Sequence, residues 1–371
     1  MSPRKVAFLV QAPFHWSCFK TVRAAFAADP AWEVTLVAVP FLKHGDIVGE
    51  PSWDFLARLG LPFVRHAAWD PARDRPDVTI LCTPYDFSRP PALSAATLAG
   101  LGHRLVYIPY GSEVGGGAPM VQFQYQLETH DLAWRNVAFS EFNRRCFARW
   151  NPKAAKRVRV TGHPKFDAWA VLPPRDAAAP RTILWTPHFS VGFERHLRWS
   201  TFDRHLETML GLALKHPGVR FILRPHPQLS WTLRHSPGGA ALWDGVLAFA
   251  TASQNFAIDE TSSYVEAFHA ADGLITDASS LMYEFMLLDK PMLYLDCEGG
   301  AGLNEAGLLM TQAIATGRGP ADLGRFVDEV ARGADTRRDA RNTAIRKLVG
   351  PNDGGAGARV KAMIDAELPA A

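Results

Sequence analysis

The sequence has few cysteines, no long apolar run and no excess of either charge. Its four cysteines are scattered, with neither a CxxC pair nor a nearby histidine at metal-ligand spacing, so we expect reduced thiols and no metal site. The 40 basic and 37 acidic side chains nearly cancel, which argues against a nucleic-acid partner or a polybasic membrane anchor. The first apolar run stops at Gln11, too short for a secretory signal or a membrane span. We interpret it as a buried strand.

The composition that remains is that of a folded globular protein. Hydrophobic residues make up 47% of the chain and charged residues 21%, which argues against extensive disorder. A length of 371 residues exceeds what one compact core usually holds, so we expect two domains.

Apolar strand-like runs alternate with amphipathic helical patterns in both halves of the chain. The runs include KVAFLVQ, EVTLVAV, DVTILCT and RLVYIPY, then TILWTPH, RFILRPH, GLITD and PMLYLD. This alternation predicts an α/β protein with two doubly wound parallel sheets. We predict domains at 1–172 and 181–345, joined by a proline- and alanine-rich linker, and a helical tail at 346–371. Ligands of such sheets bind beyond the carboxyl ends of the strands, and we expect the domains to face a cleft.

A cluster of small polar residues follows the strand GLIT: Thr276, Asp277, Ser279 and Ser280. We predict that a helix begins near Ser279 and directs unpaired backbone amides and its positive dipole end toward the ligand. Small side chains let a phosphate approach such amides and add further donors. Ordinary helix capping by Asp277 or Ser279 is the alternative explanation.

Two side chains at another strand end suit an anionic ligand. Arg224 and His226 in RFILRPHPQ lie on the same side of the strand by alternation. The guanidinium would bind a diphosphate by charge, and the imidazole would act as a hydrogen-bond donor or general acid. The alternative is a salt-bridged arginine beside a turn histidine. Glu284, about one turn beyond Ser280, is near enough to bind a ribose, unless it lies on a solvated helix face.

Further polar side chains follow other strands. TILWTPHF supplies Thr186 and His188, and TGHPKFD supplies His163 and Lys165. We predict that they line the cleft, although either histidine could equally be a hydrogen-bonded turn residue.

Two loops of the first domain also carry candidate residues. QAPFHWS contains His15, and IPYGSEVGGG contains Tyr110 and Glu113 before a glycine run. That run has neither GxGxxG nor Walker spacing, so we interpret it as a mobile loop over the cleft and not as a phosphate loop.

Residues 158–297 resemble the CDP-glycerol glycerophosphotransferases, which make teichoic-acid-type polymers. TGHPKFD, ILWTP and LRPHP are similar to successive motifs of the family. LITDASSLMYEFMLLDKPMLYL closely matches its hallmark, a TD-x-SS turn followed by an aromatic residue, an acid and a KP strand. NDGGAGARVKAMI resembles the family's final segment. The resemblance implies a GT-B fold of two facing Rossmann-like domains.

The resemblance also implies a donor site in the second domain. It assigns the diphosphate of a cytidine nucleotide to the helix that starts at Ser279 and Ser280. It gives His226 the role of stabilising or protonating the leaving nucleotide phosphate, and it gives Glu284 a contact to the ribose.

The first domain departs from the family pattern. Its IPYGSE turn has Tyr110 where the family's proposed base, a histidine, would stand. The candidates for the base are then His15, Glu113 and Tyr110, of which tyrosine needs a strongly lowered pKa. We favour His15 because it follows the first strand, whose carboxyl end should face the same cleft.

These implications predict a transferase for cell-surface polymer synthesis. It would move glycerol phosphate, or a related alditol or sugar phosphate, from a CDP-activated donor to a hydroxyl of a glycan or lipid-linked acceptor, without a cofactor. We expect it in the cytoplasm, with peripheral contact at the inner face of the membrane where the acceptor is lipid-linked. The alternatives are a GT-B glycosyltransferase with a nucleotide-sugar donor and a non-catalytic protein that binds a nucleotide or sugar phosphate.

Overall fold

The computed structural model describes residues 2–172, 176, 178–261, 263–277 and 280–369. The chain divides into two compact units. Unit 1 contains residues 1–111, 121–171 and 347–371, and unit 2 contains residues 112–120 and 172–346. Within the described part, no helix has the length and apolar character that a membrane span requires.

The strands alternate with helices along most of the chain. The strands are β1 (Arg4–Val10), β2 (Trp32–Ala38), β3 (Leu42–Lys43), β4 (Asp46–Ile47), β5 (Val64–Arg65), β6 (Val78–Leu81), β7 (Leu105–Tyr107), β8 (Arg135–Ala138), β9 (Val158–Val160), β10 (Thr182–Thr186), β11 (Arg220–Leu223), β12 (Phe256–Ile258), β13 (Gly273–Thr276), β14 (Met292–Leu295) and β15 (Ala315–Gly317). The helices are α1 (Trp16–Ala27), α2 (Ser52–Arg58), α3 (Pro71–Asp74), α4 (Ala95–Gly100), α5 (Ala118–Tyr125), α6 (Glu128–Leu132), α7 (Glu141–Trp150), α8 (Phe202–Lys215), α9 (Leu229–Arg234), α10 (Gly239–Ala252), α11 (Val265–Ala270), α12 (Leu281–Met286), α13 (Glu305–Thr311), α14 (Pro320–Ala331), α15 (Arg338–Leu348) and α16 (Ala356–Glu367).

Each unit is built on one parallel sheet. The strand order is β5-β2-β1-β6-β7-β8-β9 in unit 1 and β12-β11-β10-β13-β14-β15 in unit 2. Every residue of β6 and β10 is buried, as expected for apolar strands covered by helices on both faces. The predicted α/β class with two doubly wound sheets is confirmed. β3 and β4 form a short antiparallel hairpin apart from these sheets.

The last helix, which the sequence predicted as part of a separate tail, belongs to unit 1. Val360 and Ile364 on α16 are fully buried in the core of that unit. Gly357 makes this close packing possible, because a Cβ atom there would lie 2.5 Å from the backbone of Thr21 on α1. Lys361 also forms an ion pair with Asp29 over 2.6 Å. The predicted helix is present, and its apolar side chains pack into the core of unit 1.

The sequence patterns missed several elements of unit 2. β12 is a three-residue strand at the edge of the sheet, and only Phe256 in it is fully buried. Such a strand is too short to show a periodicity. The glycine run of IPYGSEVGGG, which the sequence predicted as a mobile loop, forms an isolated β-bridge between Gly115 and Leu303, and the Gly116 amide donates to the Gly302 carbonyl over 3.0 Å.

Candidate active site

The candidate site of unit 2 lies at the carboxyl ends of β11, β10 and β13, which are neighbours in the sheet. Thr186 and Thr276 end β10 and β13 and are paired in register. The hydroxyl of Thr186 donates to the hydroxyl of Thr276 over 2.8 Å, and both residues are buried. These hydroxyls therefore hold the two strand ends together. Direct contacts from them to a diphosphate stay a prediction.

Asp277 ties two loops to the end of β13. Its carboxylate accepts the backbone amide of His188 over 2.6 Å and that of Thr201 over 2.8 Å. The side chain is 1% exposed, and burial raises the pKa of the carboxyl to about 7, although the hydrogen bonds from Thr201 and His188 oppose this shift. Asp277 therefore fixes the backbone around the candidate site, and both of its oxygens accept hydrogen bonds from within the protein.

Three histidines that follow strand ends share one local geometry. In each of them, Nδ1 accepts the backbone amide of the residue two positions later. The pairs are His163 with Lys165 at 3.2 Å, His188 with Ser190 at 3.3 Å, and His226 with Gln228 at 3.2 Å. Because an amide nitrogen only donates, Nδ1 must carry the lone pair, and a neutral ring then has its proton on Nε2.

His188 and His226 bring two such rings together in unit 2. Their ring centroids are 5.4 Å apart. Burial lowers the pKa of His188 to about 3, with a further contribution from His226, and lowers the pKa of His226 to about 4. Both rings are therefore neutral near pH 7 and present Nε2–H donors. This pair suits hydrogen bonding to an anionic oxygen better than transfer of a proton to it.

Arg224 is engaged by a neighbouring strand end. Its guanidinium donates to the Asp259 carboxylate over 2.6 Å and to the Thr261 carbonyl over 2.8 Å. The guanidinium also lies 5.8 Å from the ring centroid of Tyr264. The salt-bridged arginine that the sequence left as an alternative is thus observed. A direct contact from Arg224 to phosphate stays a prediction.

Glu284 does not lie on a solvated helix face. It is 1% exposed, and its carboxylate accepts the hydroxyl of Tyr264. A carboxylate that is buried and hydrogen-bonded has a fixed orientation, as a ribose contact would require. The contact itself stays a prediction.

The predicted anion-binding turn is described only in part. Ser279 lies outside the described residues. Ser280 is half-buried and is the N-cap residue of α12, which begins at Leu281, two residues later than predicted. No capping hydrogen bond is found from the Ser280 side chain within the described part of the chain.

His163 and Lys165 belong to unit 1. His163 is 1% exposed, and burial lowers its pKa to about 3, with a further contribution from the charge of Lys165. The ring packs against Phe166 with centroids 4.8 Å apart. The structure thus places both residues at the end of β9, and their predicted role in binding the donor stays untested.

His15 lies at the carboxyl end of β1 in unit 1, next to Tyr110 at a ring-centroid distance of 5.9 Å. It is 1% exposed, and among the described residues neither of its ring nitrogens has a hydrogen-bond partner. Burial, aided by the charges of Arg89 and Lys165, lowers its pKa to about 3. A neutral imidazole can accept a proton, but so low a pKa makes it a weak base near pH 7.

Glu113, the third candidate base, groups with unit 2. Its carbonyl oxygen accepts the side-chain amide of Asn304 over 2.8 Å, and the Asn304 backbone amide donates to Val114 over 2.8 Å. The contacts of the glycine run therefore fix the backbone of Glu113.

Sequence reasoning missed the residues that support the site. Ser190 is fully buried, and its hydroxyl bonds to His188 Nδ1 over 2.9 Å and accepts the amide of Trp199 over 2.9 Å. Asp259 and Tyr264, which orient Arg224 and Glu284, were not named as candidates from the sequence. The signal that was available is position, since Asp259 directly follows β12. No cluster of three or more metal-ligating side chains was found among the described residues.

Comparisons with solved structures establish the fold of the whole chain. A structure of the wall teichoic acid polymerase TagF matches with 14% identity and a TM-score of 0.63, over 99% of this chain and 90% of that one. The UDP-GlcNAc 2-epimerase of Neisseria meningitidis, bound to UDP-GlcNAc, matches with 13% identity and a TM-score of 0.64, over 98% of this chain and 100% of that one. The corresponding enzyme of Methanocaldococcus jannaschii matches with 13% identity and a TM-score of 0.62, over 98% and 99%. The fold is GT-B, with two Rossmann-like domains.

Comparison with protein families is more specific. No curated protein matched the chain significantly. A family model described as CDP-Glycerol:Poly(glycerophosphate) glycerophosphotransferase matches residues 112–365, which include every candidate residue of unit 2. The chain therefore belongs to the CDP-glycerol glycerophosphotransferase family and is a transferase of that family.

Proposed function

We propose that this transferase moves glycerol phosphate, or a closely related alditol phosphate, from a CDP-activated donor to an acceptor hydroxyl. The observation that carries the proposal is the pair of neutral imidazoles, His188 and His226, at adjacent strand ends of the family-matched unit. Two Nε2–H donors beside a strand-to-helix turn suit the oxygens of a diphosphate.

In the proposed reaction, an acceptor oxygen attacks the β-phosphorus of the donor. The bond from that phosphorus to the bridging oxygen breaks, and CMP leaves with the electron pair. His226 and His188 stabilise the negative charge on the phosphates by donating hydrogen bonds, and the Ser280 hydroxyl adds a further donor. Because the neutral imidazoles do not carry a spare proton, their contribution is electrostatic.

The remaining residues of unit 2 support this geometry. Thr186 and Thr276 hold the strand ends together, Asp277 fixes the loop of His188, and Asp259 orients Arg224. Glu284, fixed by Tyr264, is proposed to bind the ribose.

The acceptor proton passes to a base for which His15, Tyr110 and Glu113 remain the candidates. The proposed acceptor carries a free hydroxyl on a glycan or on a lipid-linked chain. A lipid-linked acceptor would bring the enzyme to a membrane surface, which is part of the proposal.

The proposal is tested by donor binding and turnover. Purified protein is titrated calorimetrically with CDP-glycerol, CDP, CMP and UDP-GlcNAc, and CMP release from CDP-glycerol is measured with and without acceptor. We expect binding of the cytidine nucleotides and a loss of turnover in His226→Ala. His235→Ala is the matched control, because His235, the C-cap residue of α9, is exposed and stacks on Trp231.

Two results would overturn the proposal. A preference for UDP-GlcNAc over CDP-glycerol would favour transfer of a sugar. Tight binding of CDP-glycerol without any release of CMP would favour a binding protein without catalytic activity.

A further inference from the structure

Unit 1 carries a continuous series of aromatic rings along the carboxyl edge of its sheet. The series, called here the aromatic row, consists of Phe41, Phe14, Tyr110, Tyr85, Phe87 and Phe123. Successive ring centroids are 5.4 to 6.2 Å apart, from Phe41 to Phe14, on to Tyr110 and Tyr85, and from Tyr85 to both Phe87 and Phe123. These spacings are those of ordinary aromatic contacts, so the row is one packed surface.

The position of the row is that of a ligand site. Phe41, Phe14, Tyr85 and Tyr110 follow β2, β1, β6 and β7, which are four adjacent strands of the sheet. Ligands of open α/β sheets bind beyond the carboxyl ends of the strands.

Two rings of the row are exposed to solvent, and the other four are half-buried. Phe87 is 73% exposed and Phe14 is 54% exposed. Single exposed apolar side chains are common, but rings joined into a contiguous patch indicate a binding surface.

Polar groups accompany the rings. The hydroxyls of Tyr85 and Tyr110 lie 3.2 Å apart at the centre of the row. His15 packs against Phe14 with centroids 4.3 Å apart, and its ring nitrogens have no hydrogen-bond partner among the described residues. A buried polar group without a partner destabilises the free protein and is a group that a ligand hydroxyl can satisfy.

Arg89 lies near the row, but its guanidinium is not available to bind an anionic polymer. Arg89 is 2% exposed, donates to the carboxylate of Asp86 and also donates to the carbonyl of Thr83 over 3.0 Å. Its charge is therefore neutralised within unit 1.

We propose that the aromatic row is an acceptor subsite that recognises the ring of a sugar residue, with His15 and the tyrosine hydroxyls bonding its hydroxyl groups. A pyranose presents a face of C–H groups to the negative face of an aromatic ring, and its edge carries hydroxyls. A glycerol phosphate chain has no such face, and a lipid tail has no groups for the polar side chains. The inference deepens the proposed function, on which it rests, by naming the acceptor as a glycan.

The test separates glycan recognition from donor chemistry. Phe87→Ala and Phe14→Ala are compared with Trp231→Ala, which removes an aromatic ring of unit 2 that is 62% exposed. Saturation-transfer NMR measures the binding of triacetylchitotriose and maltotriose in the absence of donor. Turnover assays then give KM for a glycan acceptor, KM for a glycerol phosphate trimer and KM for CDP-glycerol.

We expect wild type to bind at least one of the two saccharides. Loss of one stacking ring should weaken that binding about tenfold, raise the glycan KM to a similar extent and leave the KM of CDP-glycerol unchanged. The control should behave as wild type. Binding of a saccharide that depends on Phe87, in a protein without CMP release, would retain the saccharide site at the aromatic row while the proposed function and the role of the saccharide as acceptor fail.

Three outcomes would overturn the inference. The first is that wild type binds neither saccharide, and the second is that wild type prefers the glycerol phosphate trimer as acceptor. The third is that Phe87→Ala impairs sedimentation with anionic phospholipid vesicles and leaves saccharide binding intact, because the row would then be a membrane contact.

Discussion

The carboxylate of Asp277 and the backbone amide of His188 are joined by a hydrogen bond of 2.6 Å, which ties the end of β13 to the loop after β10. The second carboxylate oxygen holds Thr201 over 2.8 Å. Asn resembles the protonated carboxyl, because each turns one donor, the amide N–H or the acid O–H, toward one of the two backbone N–H groups. We therefore expect Asp277→Asn to have nearly the wild-type melting temperature at acidic pH, where Asp277 is protonated.

The pH dependence of this difference has a definite sign. The folded-state pKa of Asp277, about 7, lies above its ordinary value of 3.8, so the folded protein binds the proton more tightly than the unfolded chain. The stability that wild type gains from this group is full below about pH 4 and is lost as the pH rises to about 7. Because Asn does not titrate, the melting temperature of Asp277→Asn should thus rise relative to that of wild type from pH 4 to pH 7. A constant difference in calorimetric scans would contradict this assignment.

The hydrogen-bond donor of His226 can be tested separately from its ring. Gln places an amide N–H near the position of Nε2, whereas Ala removes the donor. Loss of one donor to developing charge typically costs about 100- to 1,000-fold in kcat. We expect this loss in His226→Ala and partial recovery in His226→Gln, with little change in the KM of CDP-glycerol.

The lowered pKa of His226 predicts how kcat depends on pH. Because burial lowers the pKa of His226 to about 4, its ring stays neutral at higher pH. Its titration should therefore cause no loss of kcat between pH 5 and pH 8. A fall in kcat above about pH 6.5 that disappears in His226→Gln would show that a protonated histidine is required.

Prediction from the sequence succeeded where every residue of a strand is buried. The runs TILWT and GLIT identified β10 and β13, and the residues that follow them lie together because parallel neighbours end at one edge. The patterns could not reveal the hydrogen bond between the hydroxyls of Thr186 and Thr276, or the ion pair between Asp259 and Arg224. Both contacts depend on the register of different strands and on the direction of their side chains. The family motif indicated where the candidate site of unit 2 lies, but the contacts that support this site could be read only from the structure.

The ion pair between Arg224 and Asp259 should give a measurable coupling energy in the free energy of unfolding. Their side chains are 14% and 17% exposed, and the two atoms lie 2.6 Å apart. In a double-mutant cycle with Arg224→Ala and Asp259→Ala, urea unfolding should give a coupling energy of about 1.5–3 kcal/mol, typical of hydrogen bonds between charged groups that are largely removed from water. Asp259→Ala should also weaken CDP binding by releasing the guanidinium from its position.

A matched pair on the surface provides the control. Arg234 and Asp244 lie 2.9 Å apart, but their side chains are 44% and 60% exposed. Their cycle should give less than about 1 kcal/mol, because exposed ion pairs are screened by water. Equal coupling in the two cycles would show that burial does not strengthen the Arg224 pair.

Gly116 is expected to be irreplaceable in the segment that carries Glu113. A Cβ atom at Gly116 would lie 2.6 Å from the carbonyl oxygen of Leu303, a backbone atom that cannot rotate away. Gly116→Ala should therefore separate the glycine run from residues 302–304 and destabilise unit 2 by about 1–3 kcal/mol, measured by urea unfolding. Gly211→Ala is the control, because an added Cβ meets nothing within 4 Å on α8 and should stabilise the helix by about 0.5–1 kcal/mol. If both substitutions leave the unfolding midpoint unchanged, the contact between the glycine run and Leu303 does not contribute to stability.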